Sequence, residues 1–332
     1  MAASLLFPML SYLWLSMNRT SKCLIILICS LTSSVIVCGQ NAPSVYTSDI
    51  DNFWIAFDSI QTIKEKNTQI EVMQSMYIDK GTYGLKRFME LRKFDAAKLV
   101  ETINKYPKFW RSIRGNTLTV KEALPGIETY IQKFKLIYPD LRAAKMYFTI
   151  SAIKAAGVAQ DSTALIGSEI AMGDKNTDVS EFPDKRLANF FKPKSAVEIT
   201  PVAIHEYVHT QQMTEGKTLL GEAIYEGACD FITELVLKKR LMNSYLIYGR
   251  KNEKTLKLQF KKEMLAEDYS DWLYNGATSK TMGDLGYFMG YAICKAYYRH
   301  SNNKSAAIKD IIGLNYADQS AIMEFLAESK YY

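Results

Sequence analysis

Two histidines four residues apart are the residues of this sequence best suited to metal chemistry. His205 and His209 enclose Glu206 in the sequence His-Glu-Tyr-Val-His, within a segment that has apolar residues at helical spacing. On a helix this spacing places both imidazoles on one face, where they can bind the same tetrahedral zinc ion. Glu206 lies about 100° round the helix, where it can reach a metal-bound water without binding the metal. The pattern predicts a site for one zinc ion, with Glu206 as the catalytic base.

A zinc hydrolase needs a third protein ligand and an open fourth position for water. The next helical pattern offers Glu222, Glu226 and Asp230 at four-residue steps. We expect Glu226 to be the third ligand, with Gly227 and Ala228 letting the two helices approach closely around the ion. Asp230 is expected to accept a hydrogen bond from a ligand histidine and to fix its tautomer. Glu222 is a weaker candidate for a ligand or a substrate contact.

Each assignment has a structural alternative. The histidines could be hydrogen-bonded residues of an ordinary helix, and the acidic residues could form a solvated face with surface lysines. We expect the second description for Glu215 and Glu234. The chain has only three histidines, and two of them lie in the motif, which favours the metal site over a chance match.

Stabilisation of an oxyanion would need a further hydrogen-bond donor. Tyr287 and Tyr291 lie one turn apart in a glycine-containing helical pattern and could supply it, with core packing as the alternative. His300 is another possible donor, but its place beside Arg299 at a predicted helix end favours an exposed capping role.

The elements that must position these residues are mostly helical. From residue 51 to about 141, apolar residues recur at three- and four-residue steps. Residues 145–151 and 162–170 are short, β-branched and aromatic, and are predicted as two strands. The second strand could be an exposed edge that pairs with an extended peptide, or an ordinary packed strand. After Pro193 the helical pattern resumes. We therefore predict an α+β fold, predominantly α-helical, as one domain over residues 41–332 with the small sheet beside the motif helix.

The amino terminus has the layout of an export signal. Residues 17–40 run from basic to apolar to small residues, and the apolar run is shorter than the roughly 20 residues that cross a bilayer. Residues 1–40 are predicted to be a signal peptide or a lipoprotein leader, with Met17 as a possible start. Cys38 could be lipidated, although Val37 is larger than the residue that such processing prefers. The protein is expected to be exported, and to be periplasmic, envelope-anchored through its N-terminus or secreted.

The charge balance bears on nucleic-acid binding, and the cysteine content bears on disulfide formation. The 41 basic and 35 acidic residues give a net charge of +6 without a dense basic run, so a nucleic-acid partner is not expected. Cys229 and Cys294 lie in apolar helical patterns and are expected to be buried free thiols, with one disulfide as the alternative.

The spacing of the site residues resembles that of the gluzincin metallopeptidases, in which a glutamate and, four positions later, a supporting aspartate follow the HExxH motif. Five residues match this pattern one by one: His205, Glu206, His209, Glu226 and Asp230. The resemblance implies a zincin-like catalytic domain.

The chain also resembles a bacterial family of predicted Zn-dependent proteases of unknown function, related to the gliding-motility lipoproteins of Bacteroidetes. The matching stretches are residues 52–58, 81–92, 138–140, 166–169, 285–291 and the His205 motif. Near residues 153–163 this sequence departs from the family, where a more glycine-rich segment is usual.

Three functions are compatible with these residues. The main hypothesis is a zinc-dependent metallohydrolase, a peptidase that acts on a peptide or protein substrate. The alternative is an envelope-anchored interaction or assembly protein that retains a zincin fold without catalysis. A hydrolase of a non-peptide amide or ester would use the same site. Glu206 favours an enzyme, because a structural zinc site has no need of it.

Overall fold

Helices make up most of the chain, as the apolar periodicity predicts. The computed structural model describes residues 44–192, 198–276 and 278–332. Its elements are, in chain order, β1 (Val45–Tyr46), α1 (Ser48–Ile60), α2 (Lys66–Met73), a π-helical turn (Gln74–Ile78), α3 (Tyr83–Arg92), α4 (Ala96–Lys105), α5 (Pro107–Leu118), α6 (Val120–Ile137), β2 (Lys145–Thr149), β3 (Gly157–Gln160), β4 (Thr163–Gly167), α7 (Ser168–Ala171), α8 (Arg186–Phe191), α9 (Ile199–His209), α10 (Leu219–Leu237), α11 (Ser244–Glu263), α12 (Leu285–His300), α13 (Lys304–Gly313) and α14 (Gln319–Ser329). The predicted α+β, predominantly α-helical fold class is confirmed.

The sheet has four strands in the order β1-β2-β4-β3. β1, β2 and β4 are parallel, and β3 runs antiparallel to β4. The two predicted strands correspond to β2 and β4, whereas β1 and β3 were not predicted. β4 lies between two strands and all of its residues are buried, so of the two alternatives for this strand the packed strand is confirmed and the exposed edge is wrong. Within the described residues, the edge beside β4 is β3, whose four residues are half-buried.

The helical N-terminal half is joined to the sheet by an aromatic core. Phe53 packs against Trp110 and Tyr77, with ring centroids 5.1 and 5.4 Å away. The Tyr77 hydroxyl donates to the carbonyl of Ile150 and accepts from its amide, both at 3.0 Å. Because a single side chain satisfies both backbone groups, it fixes the chain where β2 ends.

The loop between β2 and β3 is held by a buried acid. Glu169 accepts hydrogen bonds from the amide and hydroxyl of Ser151 and from the amide of Ile153. Ala152 and Ile153 have left-handed backbone conformations, with φ of 54° and 62°, which cost energy outside glycine and need support from their surroundings. Burial raises the pKa of Glu169 to about 7, against the opposing effect of these hydrogen bonds. Glu169 thereby fixes the entry to β3.

Helices α10 and α12 pack through their backbones. A β-carbon at Gly290 would lie 1.6 Å from the carbonyl oxygen of Ala223, and one at Gly227 would lie 2.1 Å from the amide nitrogen of Tyr291. Gly227 therefore faces α12, and the expectation that it lets α10 approach the motif helix is wrong. The close contact buries nearly all of α10.

The described residues, from Ser44 to Tyr332, belong to one compact unit. The predicted leader, residues 1–40 with Met17 and Cys38, lies outside the described residues. In the described ranges, no helix combines the length and the apolar character needed to cross a membrane. Cys229 and Cys294 are buried free thiols, as expected.

Candidate metal centre

The first two predicted ligands are held by α9. This helix buries Ala203, Ile204 and Val208 and packs against α6, α10, β3 and β4. Its buried face leaves His205 and His209 turned towards one another, with their Nε2 atoms 3.2 Å apart. Pro201 falls in the first turn, where a missing amide hydrogen is tolerated.

Glu226 on α10 completes the cluster. Its Oε2 atom lies 3.4 Å from Nε2 of His205 and 3.2 Å from Nε2 of His209. The three side chains are 8 to 15% exposed. The structure therefore brings the three predicted ligands together with one donor atom of each pointing to a common centre.

The tautomer of His205 is set by Asp230. Nδ1 of the imidazole lies 3.0 Å from Oδ1 of Asp230, and the other carboxylate oxygen accepts from the Tyr245 hydroxyl at 2.9 Å. An ionised carboxylate can only accept, so Nδ1 carries a proton, and Nε2 carries the lone pair when the imidazole is neutral. Asp230 therefore lies where its predicted supporting role requires.

The tautomer of His209 is set by Gln212, which the sequence did not single out. The Gln212 amide nitrogen donates to the Tyr225 carbonyl at 2.8 Å, and a carbonyl can only accept, so Oε1 must face the histidine. Oε1 lies 2.7 Å from Nδ1 of His209. It also accepts from the Cys229 thiol at 3.3 Å. The neutral form of His209 therefore presents a lone pair at Nε2 as well.

These donor atoms fit a metal ion. With both imidazoles neutral and protonated at Nδ1, three lone pairs would face one another across 3.2 to 3.4 Å, and they would repel unless a proton or a metal ion lay between them. Two imidazole nitrogens and a carboxylate oxygen suit zinc, and three protein ligands leave a fourth position open.

The pKa values of His205 and Glu226 are shifted by the attraction between the imidazoles and the carboxylates around them. Burial opposes a charge on His205, but hydrogen bonds to Asp230 and Glu226 raise its pKa well above the usual value. For Glu226, burial is again outweighed, and the neighbouring His209 and His205 lower the carboxyl pKa strongly. The cluster is thus stabilised by positive charge at its centre.

Cys229 is a competing ligand by proximity. Its sulfur, together with nitrogens of His205 and His209, belongs to a set of atoms within 4.8 Å of one another. However, burial raises the pKa of this thiol well above its usual value, and the sulfur donates to Gln212. Glu226 contacts both imidazoles directly, so we assign Cys229 to positioning Gln212.

Glu206 lies apart from the three converging atoms. Its carboxylate rests against β3, where a β-carbon at Gly157 would stand 2.3 Å from Oε1. Burial raises its pKa, and the neighbouring His209 and His205 oppose this effect. A half-buried carboxylate beside the predicted ligands and a strand edge is suited to accept a proton at the site.

A second residue that the sequence did not reveal is Tyr274. Its hydroxyl lies 2.7 Å from Oε1 of Glu226 and 2.5 Å from Oε1 of Glu222, and its backbone is left-handed, with φ of 58°. One hydroxyl has one hydrogen, so contact with two carboxyl groups requires a second proton. Glu222 is suited to carry it, because burial raises its pKa to about 7. Glu222 is 2% exposed, so the alternative of a solvated face is wrong for this residue.

The two predicted oxyanion donors lie in different surroundings. The Tyr287 ring stacks near His205 at a centroid distance of 6.4 Å and remains a candidate donor. The Tyr291 hydroxyl instead donates to Glu234 at 2.6 Å, and its prediction as an oxyanion donor is wrong. Glu234 is only 16% exposed in its ion pairs, so it is not the surface charge predicted. His300 is exposed, and its Nδ1 atom contacts the Ala296 carbonyl in the last turn of α12 and the Ser329 carbonyl at the end of α14, as expected for a capping residue.

The comparisons with known proteins identify the family. Residues 44–262, which are 219 of the 332 residues, match the model of a lipoprotein family described as gliding motility protein GldB. The chain belongs to the GldB family. No curated protein and no solved structure is matched.

The match confirms the predicted relation to gliding-motility lipoproteins. The GldB region extends from β1 nearly to the end of α11, and it therefore contains His205, Glu206, His209, Glu226 and Asp230. Membership of a lipoprotein family agrees with the exported, envelope-associated location expected from the leader. The zinc ion, the protease activity and the zincin-like fold stay predictions.

Proposed function

We propose that this GldB-family protein is a cell-envelope protein that acts with the gliding-motility machinery and binds one zinc ion through His205, His209 and Glu226. The family supports the cellular role. The observation that carries the metal site is the convergence of two imidazole nitrogens and one carboxylate oxygen, each with a lone pair directed inward. The small sheet beside the motif helix also agrees with the zincin-like fold that the resemblance implies.

The chain's own residues divide the work at such a site. Asp230 and Gln212 orient the two imidazoles, and Tyr274 fixes the outer oxygen of Glu226. Bound zinc would act as a Lewis acid on a carbonyl group and would make a coordinated water acidic.

The position of Glu206 favours a second candidate function, hydrolysis of a peptide bond. Glu206 is half-buried, is not one of the converging side chains and lies against the edge strand β3. An extended peptide could pair with that edge, and Glu206 could then accept the proton of the attacking water and return it to the leaving amine. A metal site that only supports the fold would have no use for this carboxylate.

Metal content and motility test both proposals. The purified full-length chain should contain about one equivalent of zinc, and Glu206→Gln should retain it, whereas His209→Ala should lose it. In gliding cells, normal movement of Glu206→Gln with failure of His209→Ala supports an envelope role without catalysis.

Loss of gliding in zinc-loaded Glu206→Gln supports the hydrolase, which a peptide library then examines. Glu215→Gln, a surface change of the same kind, should behave as the parent. Correctly folded protein without metal overturns both proposals.

A further inference from the structure

Helix α12 also lines a cleft with a strong positive charge. The lining residue Tyr291 lies one helical turn after Tyr287. The cleft has a volume of about 490 Å³ and is lined by six basic side chains from α11, α12 and the segments after α10 and α14: Arg240, Arg250, Lys257, Lys295, Arg299 and Lys330. We call this site the basic cleft. The metal ligands are not among its lining residues.

One carboxylate serves two of these cations. Glu234 pairs with Lys295 at 3.1 Å and with Arg250 at 3.3 Å. It also accepts a hydrogen bond from the Tyr291 hydroxyl at 2.6 Å. The ion pairs hold Lys295 and Arg250 against the cleft floor, but a single negative charge cannot balance both.

The other four basic side chains of the cleft have fewer acidic partners. Lys257 donates to the Tyr331 backbone carbonyl and lies over its ring, and the lining acid Glu253 accepts from the Tyr331 hydroxyl at 3.0 Å. Within the described part of the chain, no carboxylate pairs with the other three: Arg240, Arg299 and Lys330. Six basic side chains therefore face two carboxylates, an excess of four charges in one cleft when the whole chain carries +6.

We propose that the basic cleft binds a phosphate-bearing anion. Guanidinium groups bind phosphate oxygens in pairs and lysines add point charges, and a concave wall weakens screening by salt compared with an open surface. The rings of Tyr291 and Tyr331 line the same cleft and can contact the organic part of a phosphate ester. The volume suits one lipid headgroup or one small phosphate ester.

Binding by the full-length chain tests this proposal. The probes are inorganic phosphate, glycerol phosphate, and phosphatidylcholine vesicles with and without phosphatidylglycerol. Any attachment through the N-terminus contributes equally to both vesicle compositions, so the difference between them measures binding to phosphatidylglycerol.

The test variant combines Arg240→Gln, Arg299→Gln and Lys330→Gln. The control combines Lys64→Gln, Lys251→Gln and Lys262→Gln, which are exposed and remove the same charge away from the cleft. Both variants should unfold at the parent's temperature, because all six side chains are outside the core.

We expect the cleft variant to lose at least about tenfold in affinity and the control to keep the parent's affinity. If the cleft variant loses affinity for the soluble phosphates, the ligand is a free phosphate compound. If it loses affinity for phosphatidylglycerol vesicles alone, the ligand is a lipid headgroup. Either result supports the proposal. It is overturned if no probe binds the parent, or if the two variants weaken binding equally.

Discussion

The α-carbon of Gly157 lies so close to Glu206 that a β-carbon at position 157 would stand 2.3 Å from the Oε1 atom. The edge strand β3 and the motif helix α9 are therefore in contact at Gly157 and Glu206. Because the contact involves the end of a flexible side chain, a larger residue at position 157 would displace the carboxylate rather than the backbone.

Gly157→Ala should separate metal binding from any chemistry that depends on Glu206. We expect about one equivalent of zinc to remain, because the ligands are untouched, and peptide hydrolysis to fall by about a hundredfold from misplacement of the carboxylate. Elemental analysis and a hydrolysis assay on the same preparation measure both. Gly115→Ala is the control, since nothing lies within 4 Å of its added carbon. Unchanged hydrolysis by the Gly157 variant would show that Glu206 tolerates the shift.

Gln212→Ala should weaken zinc binding by about 10- to 100-fold, because His209 loses the group that fixes its tautomer. The measurement is competition with a chelator of known affinity. Gln211→Ala is the matched control, since the Gln211 amide is bonded to Arg142 and Thr210 rather than to the site. Equal zinc affinity in the Gln212 variant and the parent would contradict the proposed role.

Glu169 should make stability depend on pH. Its pKa is about 7 in the folded chain and 4.5 in a model peptide, so the folded state binds more protons than the unfolded state between these values. The stabilisation is complete below about pH 4.5 and is lost as the pH rises through about 7.

Urea unfolding at pH 5 and pH 8 tests this effect in the parent and in Glu169→Gln. The difference between the two pH values should be smaller in the variant by about 2 kcal/mol. The pKa of Glu222 is also raised to about 7. Glu222 is present in both the parent and the variant, so its contribution cancels when the two pH dependences are compared. An identical pH dependence would mean that Glu169 stays ionised throughout.

Gly227→Ala should lower the free energy of unfolding by about 3 kcal/mol and reduce zinc content. The added carbon would meet the backbone of α12, which cannot rotate away, so α10 and with it Glu226 must shift. Thermal unfolding and metal analysis measure the two effects. Gly126→Ala, with open space around the added carbon, should leave both unchanged. Full zinc content in a destabilised Gly227 variant would show that the shift does not reach the ligands.

The candidate ligands could be grouped within each helix from the sequence, because helical spacing determines which residues share a face. His205 with His209, and Glu226 with Asp230, each lie one turn apart, so their proximity follows from local geometry. Gln212 and Tyr274 could not be predicted in this way, because one lies beyond the helix end and the other lies in a loop 48 residues from Glu226. Their contacts depend on packing between distant segments.

The missed strand has a similar explanation. The sequence Gly-Val-Ala-Gln of β3 has little strand character of its own, and it becomes a strand through pairing with β4 and the loop held by Glu169. Glu234 was expected on the surface, and a solvated face was the alternative for Glu222, because both are charged. Their burial results from the approach of α12 and of Tyr274, which no local pattern reveals.

The shortness of β3 has a consequence for the behaviour of the protein at high concentration. An unpaired strand edge attracts the edges of other copies, and natural sheets limit this by keeping such edges short. With four residues, β3 can hold only about 13 Å of a second chain. The protein can therefore keep backbone groups open beside its predicted metal ligands while resisting self-association when many copies crowd together.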